Sequence, residues 1–295
     1  MRVFVTGATG FIGSAIVKQL RAANHQVLGL ARTPERAKSL VDAGAKVHLG
    51  DLEDLESLKS GAAASDAVIH CAFVHDFSRF KEVCEIDAKA IETLGSVLAG
   101  SNRPLIATAG VAAIAPGRLV TEEVPVPANH PFPRVSEQKA LALAASGVRA
   151  SVVRLPQVHD TVKQGLVTYL VAIARQKGIS AYVGDGSQRW PAAHVLDTAE
   201  LYKLVLEKGV AGGIYHAVAE EGVTLKPIAE AIGRGLKIPV VSKTPEQAKE
   251  HFGFLAHFVG ADMPASSKLT QERLGWHPSQ RGMLADLAEM DYSLA

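Results

Sequence analysis

The chain has 295 residues, 47% of them hydrophobic, and its 31 Lys+Arg against 30 Asp+Glu leave a formal net charge of +1. That length suits one large α/β unit or two coupled lobes, and near-neutrality argues against a broad nucleic-acid or acidic-membrane footprint. Cys71 and Cys84, the only cysteines, make neither a disulfide framework nor a metal pattern. Reduced thiols, a first strand starting at residue 2 and no apolar run of membrane-spanning length together predict a cytoplasmic protein without signal peptide or membrane anchor.

Val3-Phe4-Val5-Thr6 reads as a short apolar strand. Gly7, Gly10 and Gly13 follow, opening a helix over 11–23 through Ile16, Val17 and Leu20. A strand, a glycine turn and a helix start let backbone N–H groups approach a pyrophosphate. Gly7, Thr9, Gly10, Phe11, Ile12 and Gly13 are therefore expected to bind a dinucleotide. A second strand over 26–31 ends at Arg32, where an acidic residue would hold the ribose hydroxyls of NAD. A guanidinium suits a 2′-phosphate by charge and fork geometry, so NADP is expected over NAD; the plain alternative is a solvated charge at a helix start.

Thr33-Pro34 marks the N-cap and first position of a helix over 34–43. After a strand over 46–49, Asp51 and Leu52 are placed to flank an adenine, or Asp51 caps the helix over 55–62. A strand over 67–70 leads to Cys71-Ala72, small residues at the strand's C-terminal end where a cofactor lies flat. A helix over 80–99, a strand over 105–108, a loop over 124–133 with Pro125, Pro127, Pro131 and Pro133, a helix over 136–146 and a strand over 150–154 complete the alternation. Short apolar strands separated by longer helices predict an α/β fold: a Rossmann, doubly wound parallel sheet.

Beyond Arg154 the rhythm loosens. A loop over 155–160, helices over 166–177, 197–207 and 225–236, a turn at 184–186 and a strand over 214–217 are expected, then a tail with few strands. The domains are drawn as 1–160 for the dinucleotide, with 195–220 returning to it, and 161–194 plus 221–295 as a smaller substrate lobe.

Five segments resemble the short-chain dehydrogenase/reductase superfamily, in its extended, epimerase/dehydratase-like branch. They are Thr6-Gly7-Ala8-Thr9-Gly10-Phe11-Ile12-Gly13, Gly50-Asp51-Leu52, Val153-Arg154-Leu155-Pro156, Gly184-Asp185-Gly186 with His194-Val195-Leu196-Asp197, and Leu274-Gly275-Trp276-His277-Pro278. The resemblance implies hydride chemistry at a nicotinamide, with a tyrosine as acid or base, a lysine four residues later and a serine or threonine orienting the substrate oxygen. It puts Lys139 at the lysine, as a ribose ligand or an exposed helix residue, and counts Pro156 among the cofactor-binding positions. It puts Val135 where the tyrosine belongs and Gly110 at the serine, with Thr108 two residues away. None of the five tyrosines has a lysine four residues on, which makes the chain an atypical member.

The missing acid has replacements on loops after the strands: His75 and His159 foremost, then His130, Arg134, Ser136 and His194. No metal site is expected, and no Gly-x-Ser-x-Gly elbow supports a hydrolase. Phe73, Phe77, Phe132, Trp190 and Phe258 line an apolar pocket or belong to the core. Basic residues do not cluster among these loops, which favours a small neutral substrate. The leading expectation is an NADP-dependent oxidoreductase acting on a small carbonyl or hydroxyl compound, with Lys139, Thr108, His159 and His75 as catalytic candidates. A non-catalytic NADP-binding sensor and an NAD-retaining epimerase or dehydratase are the alternatives. By analogy of fold, a homodimer is the expected assembly.

Overall fold

The computed structural model describes residues 1–130 and 132–293, with Phe77 described by its backbone alone. Pro131 of the rim loop and the Phe77 side chain therefore lie outside the described residues. The first half alternates as anticipated: β1 (Arg2–Thr6), α1 (Phe11–Ala22), β2 (Gln26–Ala31), α2 (Pro34–Asp42), β3 (Lys46–Leu49), α3 (Leu55–Ala63), β4 (Ala67–His70), α4 (Phe80–Leu98), β5 (Pro104–Gly110), α5 (Ser136–Ala142) and β6 (Arg149–Leu155). The second half adds β7 (Gln157–His159), α6 (Val167–Lys177), β8 (Ser180–Val183), β9 (Arg189–His194), α7 (Val195–Lys208), β10 (Ile214–His216), β11 (Glu220–Thr224), α8 (Leu225–Leu236), β12 (Val240–Lys243), α9 (Pro245–Phe252), α10 (Ala256–Val259), α11 (Lys268–Leu274) and α12 (Met283–Glu289).

Seven strands form one parallel sheet in the order β10-β6-β5-β4-β1-β2-β3. Alternating side chains supply both faces. Val3, Val5, Ile69, Ile106 and Val153 pack with α1 and α7, whereas Phe4, Val68, Leu105, Ala107 and Val152 pack with α3, α4 and α5. Burial on both faces explains why these strands read as continuous apolar runs. The strand order reverses between β1 and β4, so a crevice opens at their C-terminal ends, where open α/β sheets bind ligands.

Residues 155–160 are not simply a loop: β7 spans three of them and pairs in parallel with β9, which pairs in turn with β11. A three-residue strand between Pro156 and Asp160 carries too few residues for a period of two to show. β8 pairs with β12, placing another two-stranded sheet among the C-terminal helices. The helix expected over 136–146 divides, with a 3-10 turn over Leu143–Ser146 closed by Gly147 at φ 72°.

Arg154 of β6 is fully buried and joins four segments. Its Nε and Nη2 donate to both Glu137 carboxylate oxygens, at 2.7 and 2.6 Å. Its Nη1 donates to the Val124 carbonyl at 3.0 Å and faces His216 Nε2 at 3.2 Å. His216 Nδ1–H donates to the Ser266 carbonyl at 2.8 Å, so Nε2 is the acceptor of this neutral imidazole. Burial and the Arg154 charge push the His216 pKa from 6.5 down to about 3.

A folded-state pKa below the unfolded one means that this stability is present above pH 6.5 and is lost as pH falls toward 3. The urea midpoint should therefore decline on acidification from 6.5. His216→Gln, which keeps a donor and an acceptor but does not titrate, should flatten that decline between about pH 6.5 and 5, before carboxylates dominate. An unchanged slope would contradict this reading of His216.

Candidate active site

At the end of β1 the chain turns through Gly7, at φ +68°. A Cβ there would stand 2.7 Å from the Ala72 backbone nitrogen, and one on Gly13 would stand 2.0 Å from the Gly7 carbonyl oxygen. The turn is thus closed against the loop after β4 and against α1, where no side chain fits. Gly10 N–H donates to Gly7 O at 2.9 Å, and no side chain caps α1. The first-turn N–H groups and the helix dipole therefore face the crevice, a cradle that fits a pyrophosphate. Thr9, Phe11 and Ile12 are partly exposed around it.

Arg32 is exposed just beyond β2. Thr33 caps α2, accepting from Arg36 N–H at 3.4 Å, with Pro34 in the first turn. α3 is capped by Asp54, which accepts from Ser57 N–H at 3.1 Å, so the capping alternative for Asp51 falls. Asp51 makes a local turn with Glu53 N–H at 3.0 Å, beside buried Leu52. Ala72 stands against the glycine turn, and partly exposed Pro156 follows β6 at the same sheet edge.

A chain of polar side chains runs from beneath the turn to the start of α5. Thr6 Oγ1 lies 2.9 Å from His70 Nδ1, and His70 Nε2 lies 3.3 Å from Asp87 Oδ1. Ser136 donates to Asp87 Oδ2 at 2.5 Å and accepts from Arg134 Nε at 2.7 Å. Arg134 Nη2 donates to the Thr108 carbonyl at 3.0 Å and sits 3.6 Å from Asp87 Oδ1. The guanidinium carbon is 4.1 Å from the centre of the Phe73 ring. Thr6, His70, Asp87 and Ser136 are buried, whereas a quarter of the Arg134 side chain meets solvent. Burial alone would raise the Asp87 pKa, but the His70 hydrogen bond, the Arg134 charge and the Ser136 hydroxyl together hold it below the usual carboxylate value. Asp87 is therefore an anion that fixes Arg134 beside the position where the tyrosine is missing.

The four catalytic candidates fall in different places. Lys139 lies on the outer side of α5, half exposed, with Nζ 2.5 Å from a Glu92 carboxylate oxygen. Thr108 is 6% exposed; its hydroxyl donates to the His70 carbonyl at 2.8 Å and accepts from Tyr202 O–H at 2.7 Å. That bond faces α7, and burial raises the Tyr202 pKa. His159 is buried on β7 with Nδ1 2.7 Å from Asp286 Oδ2 of α12, and burial lowers its pKa despite that carboxylate. It belongs with His194 to a cluster among the C-terminal elements. Two of the four stand near Arg134: the Thr108 carbonyl accepts from it, and His75 is exposed, yet close packing and then the Arg134 charge lower its pKa.

Trp190 is fully buried, its Nε1–H donating to the Phe258 carbonyl at 3.1 Å, so it is core and not pocket lining. Among the described residues no group of three or more His, Cys, Asp or Glu is arranged to hold a metal ion, and no helix is long and apolar enough to cross a membrane. Two surface depressions, along Gly233–Val240 and between α8 and the C-terminal segment, share no residue with the crevice. His70 and Asp87 were not singled out from the sequence. The available signal was Asp87 itself, one charge on the stripe Val83, Cys84, Ala90, Ile91, Leu94 that α4 buries.

The NAD dependent epimerase/dehydratase family matches residues 3–218. An uncharacterized protein of Schizosaccharomyces pombe is 52% identical over 99% of this chain and 100% of its own length. One of Saccharomyces cerevisiae, also uncharacterized, is 46% identical over the whole of both chains. Among solved structures, dTDP-glucose 4,6-dehydratase from Streptomyces venezuelae with NAD bound superposes with a TM-score of 0.79 at 21% identity, covering 99% of this chain and 96% of that one. The matched span runs from the glycine turn through β10, the whole of the parallel sheet. The chain belongs to the NAD-dependent epimerase/dehydratase family.

Proposed function

We propose that this protein is an NADP-dependent oxidoreductase that moves a hydride to or from a small carbonyl or hydroxyl compound, with Arg134 at the substrate oxygen in place of the tyrosine. The observation that carries the reading is the partly exposed Arg134 guanidinium, fixed by Asp87 and Ser136 at the sheet edge that also bears the glycine cradle. Gly7, Gly10 and Gly13 with the first turn of α1 would hold the pyrophosphate. Arg32 would pair with the 2′-phosphate, and Asp51 and Leu52 would border the adenine. The nicotinamide, when bound, supplies or accepts the hydride.

Negative charge grows on the carbonyl oxygen during reduction, and a preorganised guanidinium stabilises it. Arginine keeps its proton at any physiological pH, so the proton must come from elsewhere. His75, whose ring meets edge-on the same Phe73 ring that Arg134 covers, is the candidate on the rim. A second reading, a cofactor-binding sensor without turnover, draws on Val135 at the vacant tyrosine position and on the full engagement of the Thr108 hydroxyl.

Calorimetry should show NADPH binding more tightly than NADH. Arg32→Ala should weaken NADPH by roughly 10–100-fold, the worth of a charge-assisted hydrogen bond, and leave NADH unchanged. Equal affinities for both would remove Arg32 from the cofactor site. In a carbonyl-reduction screen, Arg134→Gln should lower kcat by about 10²–10³ with the NADPH affinity intact. NADPH binding without turnover of any carbonyl compound would leave the sensor reading. Because the His75 pKa lies below 6.5, its protonated fraction shrinks as pH rises, and the reduction rate should fall on that limb. His75→Gln should abolish the limb; a limb that survives would assign the proton to another group.

A further inference from the structure

We propose that the crevice beside Arg134 takes an aromatic carbonyl compound bearing one negative charge, of the aryl 2-oxo acid type. The proposal deepens the hydride-transfer reading of the same site and rests on it.

Four rings from three separate segments converge there. Phe73, on the loop after β4, meets Phe80 at the start of α4 with centroids 6.4 Å apart and planes at 68°. Phe80 meets Phe132 of the rim loop edge-on, at 6.2 Å and 84°. Phe132 in turn stacks on Phe258 of α10, at 4.9 Å and 8°. All four keep partial exposure, unlike Trp190 and Trp276, which are fully buried. A wall of rings that still meets solvent offers edges and faces to another ring. Such a wall exceeds what a small aliphatic ketone needs.

The charge at this wall is positive. Arg134 spends Nε on Ser136 and Nη2 on the Thr108 carbonyl. Among the described residues its Nη1 has no hydrogen-bond partner, which leaves an N–H edge at the wall. Lys163, on the loop after β7, adds further positive charge to the surroundings of His75. Asp87 balances part of Arg134 from below, and Asp160 accepts the backbone N–H groups of Val162 and Lys163. One guanidinium, held 4.1 Å from the centre of the Phe73 ring, thus sits at the aromatic wall. A carboxylate next to a carbonyl matches it, because guanidinium donors bind adjacent oxygens in one plane. Reduction would transfer a hydride from NADPH to the carbonyl carbon and a proton from His75 or solvent to its oxygen, leaving NADP and the 2-hydroxy acid.

The test is calorimetric binding to the full chain, with and without NADP, using phenylglyoxylate, pyruvate and acetophenone as probes. Phenylglyoxylate should bind at least about tenfold more tightly than either of the others, because only it offers both ring and carboxylate. Phe132→Leu should erase most of its advantage over pyruvate. Arg134→Gln should erase its advantage over acetophenone, and thermal unfolding would confirm that both variants are folded. Equal affinities, or no binding of phenylglyoxylate in either condition, would overturn the assignment. Nicotinamide absorbance in parallel samples keeps the two readings apart. Selective binding without NADPH oxidation supports the pocket and removes hydride transfer; oxidation without selectivity overturns the pocket and keeps the oxidoreductase.

Discussion

The candidate site depends on one buried anion. Asp87 projects from an apolar stripe of α4 and is almost fully buried, where a bare carboxylate would be costly. It is tolerated because His70, Ser136 and Arg134 all turn toward it. Each of these brings a different element: β4, the start of α5 and the end of the rim loop. The anion is therefore a geometric constraint as well as a charge. It draws the C-terminal end of β4 and the N-terminal end of α5 to one point, and the glycine turn lies one residue from Thr6 at the other end of the same chain of contacts.

The placement of α5 shows why such a constraint is needed. The helix has seven residues, starts after Val135 with no side-chain cap, and is too short to be stable by itself. Two consecutive side chains locate it. Ser136 points to Asp87 on α4, and Glu137 points to Arg154 on β6. Arg154 in turn reaches Val124 of the rim loop and His216 of β10. Removing one partner of such a buried pair leaves an uncompensated charge, so the two ends of the arrangement are not independent. Arg134 and the rim-loop residue Phe132, only a few positions before Ser136, inherit their positions from both.

The parallel sheet was legible because its inner strands, β1, β4, β5 and β6, are buried on both faces and read as apolar runs, and the intervening helices repeat at helical spacing. The glycine turn was legible because Gly7 and Gly13 answer to hard contacts of 2.7 and 2.0 Å that no other residue allows. Beyond Arg154 the strand over 214–217 was anticipated and is β10, but the other C-terminal strands were not. β7 has three residues, and β8 and β12 have four each with mixed polarity, so pairing alone defines them. The polar chain was illegible for another reason: its members, Thr6, His70, Asp87 and Ser136, are scattered over 131 positions and meet only through the sheet order. His159 carried the opposite risk. It follows a strand, as an active-site histidine would, but β7 turns it into the C-terminal core against Asp286.

The absence of a tyrosine at position 135 and the pairing of Lys139 with Glu92 bear on the same task. A tyrosine works as a proton donor when a nearby cation lowers its pKa from about 10. The Lys139 ammonium is instead paired with Glu92 of α4 at a partly exposed position. The positive charge at the crevice comes instead from Arg134, five residues earlier, delivered from the loop and braced by Asp87. A guanidinium cannot serve as the proton donor, but it binds an oxyanion in a fixed plane without titrating. On the proposed reading the labour divides accordingly: charge stabilisation would stay at the sheet edge, and proton supply would move outward to the rim, where His75 is exposed.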